Sequence, residues 1–137
     1  MSERHEPLTS PYELMGGNEE LVHRLVRTFY THMAECEPAL ARSLQLDDSG
    51  QIAERTQQRF AQFLVEWLGG PARFTPQNGH PRLRLRHAHV SIDIEMRDAW
   101  LRCMAHALNE CEVQGKVRSF LDVRFADVAD FLRNRPG

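Results

Sequence analysis

Apolar residues at Val22, Leu25, Val26, Phe29, Tyr30 and Met33 recur every three or four positions. That is the period of one face of an α-helix. The same spacing returns in Phe60, Phe63, Leu64, Trp67 and Leu68, in Trp100, Cys103, Met104, Ala107 and Leu108, and in Val117, Leu121, Phe125, Val128 and Leu132. There is no convincing pair of strands and no internal repeat. These stripes restrict the chain to an all-α fold, with several helices packed around one core. At 137 residues it reads as one domain, long enough to bury roughly two thirds of its unfolded surface.

Turn residues punctuate the stripes. Residues 1–10 are polar and read as a lead-in, so the expected domain is 11–137. Ser10, Pro11 and Glu13 have capping-box spacing, and Gly16-Gly17 should stop the short helix that follows. Asn18-Glu19-Glu20 opens the next helix with acids in its first turn, where the helix dipole favours them. Pro38 marks a break or a new start, and "ARSLQLDDSGQ" is a corner. A helix is expected over 51–68, ended by Gly69-Gly70-Pro71. Residues 71–81 read as irregular and Pro81–Ala88 as a short helical piece. Ser91 or Asp93 caps the helix carrying Trp100.

Composition narrows the function classes. A net charge of −2 gives no electrostatic argument for nucleic acid or an anionic membrane. Arginines 82, 84, 86, 97 and 102 nevertheless crowd one region. Cys36, Cys103 and Cys111 are odd in number and show no C-x-x-C spacing. This argues against a disulfide framework or thiolate zinc site and fits free, partly buried thiols in a reducing cytosol. "MSERHEPLTS" lacks the apolar core of a signal peptide, and no run of about 18 apolar residues exists to span a membrane. The expected location is cytoplasmic.

The stretch "GHPRLRLRHAHV" concentrates the chemical candidates. His87 precedes a helix start. A neutral imidazole there suits a metal ligand, including a haem axial ligand; the competing reading is a surface histidine in a basic loop. His80 precedes Pro81, which favours extended backbone, and His89 would face away from His87 on a helix. Both read better as neighbours than as ligands. Tyr30 lies on an inward stripe, and its hydroxyl needs either a backbone carbonyl or a polar ligand. Trp100 raises the same question, since its indole only donates. Thr56 shares a helix face with Phe60 and directs its hydroxyl into a cavity or back to its own helix. Arg59, Arg84 and Arg86 suit either cofactor carboxylates or a solvated basic surface.

Three blocks, "YELMGGNEELVHRLVRTFYTHM", "FLVEWLGGP" and "GHPRLRLRHAHVSIDIEMRDAWLRCMAHAL", resemble in order the group II truncated haemoglobins. The most specific part is H-P-R-L-R-x-R-H followed by E-x-R-D-A-W-L-R-C-M. The resemblance covers roughly residues 11–110 and thins in the final helix. It implies a shortened globin, two helices over two, around haem b. By this resemblance His87 is the proximal iron ligand, and Tyr30 and Trp100 lie by the bound ligand. Thr56 takes the distal position where many globins have histidine. Phe60 falls one turn further in, Phe63 joins the cofactor contacts, and Arg59 and Arg86 match positions suited to the propionates. The corner residue facing the ligand is expected at Gln45, where the family usually has an aromatic residue or histidine.

The implied function is binding of O2, NO, CO or peroxide at His-ligated iron, with redox chemistry on the bound ligand. Oxidation of nitric oxide and peroxide turnover are the two versions. Either needs an external electron donor or reductase, because no reductase domain fits this length. The alternative is a non-catalytic oxygen carrier, store or ligand sensor.

Overall fold

Residues 9–88 and 90–136 are described by the computed structural model of the chain. Most of the lead-in and His89 lie outside these residues. Among the described residues eight helices follow one another: α1 (Pro11–Leu14), α2 (Glu19–Cys36), α3 (Pro38–Ala41), α4 (Glu54–Trp67), α5 (Thr75–Asn78), α6 (Leu83–Arg86), α7 (Ile94–Glu110) and α8 (Gly115–Phe131). The four long ones form the two-over-two sandwich. Helix α2 packs on both α4 and α7, and α7 packs on α8. None is long and apolar enough to cross a membrane.

Capping sets several helix starts. Ser10 and Glu13 close a reciprocal capping box on α1. Glu20 N–H donates to Asn18 Oδ1 at 2.9 Å at the head of α2. Met96 N–H donates to Asp93 Oδ1 at 2.9 Å, so Asp93 rather than Ser91 caps α7. The apolar stripes then meet in one core, with Leu25, Phe29, Met33, Leu64, Met104, Leu108 and Leu121 wholly or almost wholly buried. Burying such side chains stabilises by about 1.5–3 kcal/mol each before entropy is counted.

The Gly69-Gly70 break serves close packing as well as turning. Gly69 sits at φ +102°, and a Cβ there would come within 2.6 Å of Ser10 Cβ. At Gly70 a Cβ would meet both Tyr12 and the Val65 carbonyl at 2.9 Å. Helix α1 can therefore lie against the end of α4, where Tyr12 N–H donates to Leu68 O.

Two segments depart from the expectation. Helix α4 begins at Glu54, not at residue 51, because Ile52 is buried and bridged to Leu46 across the corner. Asp47 Oδ1 accepts from the Ser49 and Gln51 backbone N–H groups, a side-chain turn that competes with helix. Residues 71–81 are not wholly irregular: they contain α5. The Glu66 carboxylate of α4 accepts from the Phe74 and Thr75 backbone N–H groups and from the Thr75 hydroxyl, capping α5 from nine residues upstream. These hydrogen bonds hold the Glu66 carboxyl below the usual carboxylate range.

Candidate haem site

Between the two layers lies a cavity of about 400 Å³ with a mainly apolar wall. Eight of the nine residues predicted for the site line it: Tyr30, Thr56, Arg59, Phe60, Phe63, Arg86, His87 and Trp100. The ninth, Gln45, does not. Its side chain is exposed and its carbonyl accepts from Ala53 N–H. The corner presents half-buried Leu44 to the cavity instead. The Asp47 turn and the Leu46–Ile52 bridge fix a register one residue away from the expected one.

His87 follows the single turn of α6 and is half-buried. Its Nδ1 lies 2.7 Å from Leu83 O. A carbonyl oxygen can only accept, so Nδ1 carries a proton and the neutral ring keeps its lone pair on Nε2. An imidazole with its tautomer fixed in this way is prepared as a metal ligand. His80 differs. It is exposed, and its Nδ1 accepts from Arg82 N–H at 3.1 Å, turning the ring into its own loop.

On α2 and α7, Tyr30 and Trp100 flank Phe29, with ring centroids 4.9 and 5.3 Å from it. Phe60 of α4 completes the cluster at 5.8 Å from Tyr30 and 6.5 Å from Trp100. Tyr30 is only 7% exposed, and burial pushes its phenol well above the ordinary range, so it remains an O–H donor. Among the described residues neither the Tyr30 hydroxyl nor the Trp100 indole N–H has a protein partner in hydrogen-bond range. Two donors without acceptors beside an apolar cavity need something there to accept them.

The charges around the cavity are of one sign. Arg59, Arg86 and Arg97 line it, and among the described residues no carboxylate does. Arg59 and Arg86 are exposed, which places their guanidinium groups at the solvent rim. Arg86 also donates to the Pro81 and Asn78 carbonyls and lies over the Phe74 ring. Arg84, the third arginine considered from sequence, does not line the cavity; it donates to Phe131 O. Arg97 and the wall residues Met33, Trp67 and Phe125 were not singled out as site residues. Their helical period marks the last three as inward-facing, but core and cavity wall look alike in sequence.

An apolar slot with basic rim groups and one tautomer-fixed imidazole matches a flat, dianionic, iron-bearing group. The residues present therefore fit haem. Comparison with known proteins agrees. A family model for bacterial-like globins matches residues 10–134. Group 2 truncated hemoglobin YjbI of Bacillus subtilis is 37% identical over 130 residues, 95% of this chain and 92% of that protein. The group II truncated haemoglobin of Bacillus anthracis superposes with a TM-score of 0.85 at 33% identity, covering 96% of each chain. For the truncated oxygen-avid haemoglobin of B. subtilis the TM-score is 0.82 at 38% identity, over 92% of this chain and 100% of that one. The chain belongs to the bacterial-like globin family, among its group II truncated haemoglobins. Its cofactor is accordingly haem b, and it binds small diatomic ligands such as oxygen.

Proposed function

We propose that this haemoglobin retains oxygen for redox chemistry, namely oxidation of nitric oxide to nitrate, with His87 Nε2 holding the iron. The observation that carries the reading is the pair of unpartnered donors, Tyr30 O–H and Trp100 N–H, on the same cavity as His87. Arg59 and Arg86 are assigned to the propionates, and Phe60, Phe63 and Thr56 to contacts with the cofactor and its ligand.

The chain's own residues do two things in this reading. They hold the ring system between apolar walls with its acidic edge toward the rim arginines. They also donate hydrogen bonds to a ligand that draws negative charge as it binds. Each such bond is worth about 0.5–1.5 kcal/mol. Two would slow oxygen escape roughly ten- to a hundredfold if their energy appears in dissociation. Slow release suits chemistry on oxygen better than delivery of it. The relative from B. subtilis, described as oxygen-avid, supports the same direction. Haem held by His87 would supply, in its ferrous state, the one electron needed to turn dioxygen and nitric oxide into nitrate, and an external reductase or donor would have to return that electron for each turn.

Stopped-flow mixing of the oxygenated protein with nitric oxide tests the proposal. Conversion to the ferric form within the mixing time, with stoichiometric nitrate, is expected. Slow conversion with free release of oxygen would leave a carrier or store. Peroxide turnover is the second redox reading, because Tyr30 and Trp100 are oxidisable. A rate of phenol oxidation no greater than that of free haemin would remove it.

A further inference from the structure

We propose that Asn134 is a positioning residue for His87. Its side-chain amide clamps the segment after the histidine and so sets how the imidazole presents itself to the iron. The proposal rests on the reading of His87 as the iron ligand.

A one-turn helix does not hold itself in place. Helix α6 has four residues and no side-chain cap, and it follows Arg82 in a left-handed conformation at φ 47°. The position of His87 must therefore come from contacts made elsewhere in the fold. Asn134 Nδ2–H donates to Val90 O at 2.9 Å, and Ile92 N–H donates to Asn134 Oδ1 at 2.8 Å. One side-chain amide thus satisfies two backbone groups of one segment, as a paired peptide unit would. The Asn134 and Arg135 backbone N–H groups both donate to Ile92 O, at 2.9 and 3.1 Å. On the other side of the histidine, Arg84 Nε–H donates to Phe131 O at 3.1 Å, and its guanidinium lies 4.1 Å from the Phe131 ring centre. Residues 131–135 therefore grip the chain both before and after His87.

The grip is itself anchored. Arg97 of α7 pairs with Asp130 at 2.8 Å, and Phe125 and Ala129 seat α8 in the core. The end of α8 is a fixed platform from which Asn134 reaches the His87 segment. The clamp is read from this structure's hydrogen bonds.

The test uses holoprotein, two Asn134 variants and two controls, Arg118→Ala and His87→Ala. Asn134→Ala deletes both amide bonds. Asn134→Asp keeps the acceptor for Ile92 but sets a carboxylate against Val90 O. Arg118→Ala is the structural control, because it removes side-chain bonds to Asp122 and Asn109 at the opposite end of α8. The measurements are the iron–imidazole stretching band of the ligand-free ferrous form and the rate of haem transfer to an apoglobin acceptor. Both Asn134 variants should shift or broaden the band and lose haem on the order of tenfold faster. Arg118→Ala should leave both readouts as in the wild type even if its melting temperature falls. An unchanged band and rate in the Asn134 variants would overturn the clamp, as would an equal change in Arg118→Ala. Should Asn134→Ala fail to fold, Asn134→Asp decides alone. A band that survives His87→Ala would instead show that the His87 reading itself is wrong, and the clamp falls with it.

Discussion

The two sides of the cavity are built by different means. The wall carrying Tyr30, Phe60 and Trp100 belongs to α2, α4 and α7, helices of 18, 14 and 17 residues. Each is locked by its own backbone ladder and by a buried apolar stripe. The side carrying His87 belongs to residues 71–92, where α5 and α6 have four residues each. Side chains from elsewhere hold that segment. Glu66 caps α5, Arg73 pairs with Glu19 at 2.9 Å, and Asn134 and Phe131 flank α6. Donor direction on the first wall is thus set by packing, which is insensitive to any one polar group. Imidazole placement on the second side is set by a few discrete hydrogen bonds. Variants that remove the Tyr30 and Trp100 donors should change ligand escape and leave cofactor retention alone. Variants on the second should do the reverse.

The largest separation is expected from the double variant Tyr30→Phe, Trp100→Phe. Oxygen release should accelerate roughly ten- to a hundredfold, with haem transfer to an acceptor protein unchanged. A comparable rise in haem loss would abolish the distinction. Next is the alkaline limb of stability. Burial raises the Tyr30 pKa above its unfolded value, so its contribution is full below about pH 10 and is lost as pH climbs toward the folded value. Urea unfolding should show an extra slope of about 1.4 kcal/mol per pH unit above pH 10, absent in Tyr30→Phe. Equal slopes would mean that the phenol ionises as freely in the fold as outside it. A smaller effect, about two- to tenfold faster oxygen release, is expected for Trp100→Phe alone; no change would place the indole away from the ligand. The smallest is Glu66→Gln, which weakens the cap of α5. Hydrogen exchange at the Phe74 and Thr75 amides should quicken while that of α2 does not. The Glu66 pKa is depressed in the fold, so its contribution is present above the unfolded value and fades as pH falls through the folded one. The wild type should approach the variant in acid.

The same contrast explains what could be read from the sequence. Helices α2, α4, α7 and α8 announce themselves through 3.6-residue stripes, and Ser10, Asn18 and Asp93 through cap chemistry with partners two or three residues away. Local causes leave local marks. Helix α5 was hidden because its cap, Glu66, is supplied from α4. Helix α4 starts at Glu54, three residues later than expected, because Ile52 is buried by its bridge to Leu46 across the corner and not on a helix. The corner residue was missed by one position for the same reason. Asp47 fixes the turn, so Leu44 rather than Gln45 meets the cavity. Family resemblance puts His87, Tyr30, Thr56, Arg59 and Arg86 at one site, and all five line the cavity; residue type alone leaves each with an ordinary structural alternative. Arg97 was lost among its basic neighbours, and nothing in its spacing distinguishes it.

The central claim is that position 87 supplies the imidazole to the iron of haem b. The absorption spectrum of His87→Gly, purified with and without free imidazole, tests it most directly. The account predicts loss of the bound-haem Soret band without imidazole and its return when imidazole enters the space left by the side chain. Pigment content and a Soret band identical to the wild type's in the absence of imidazole would contradict it.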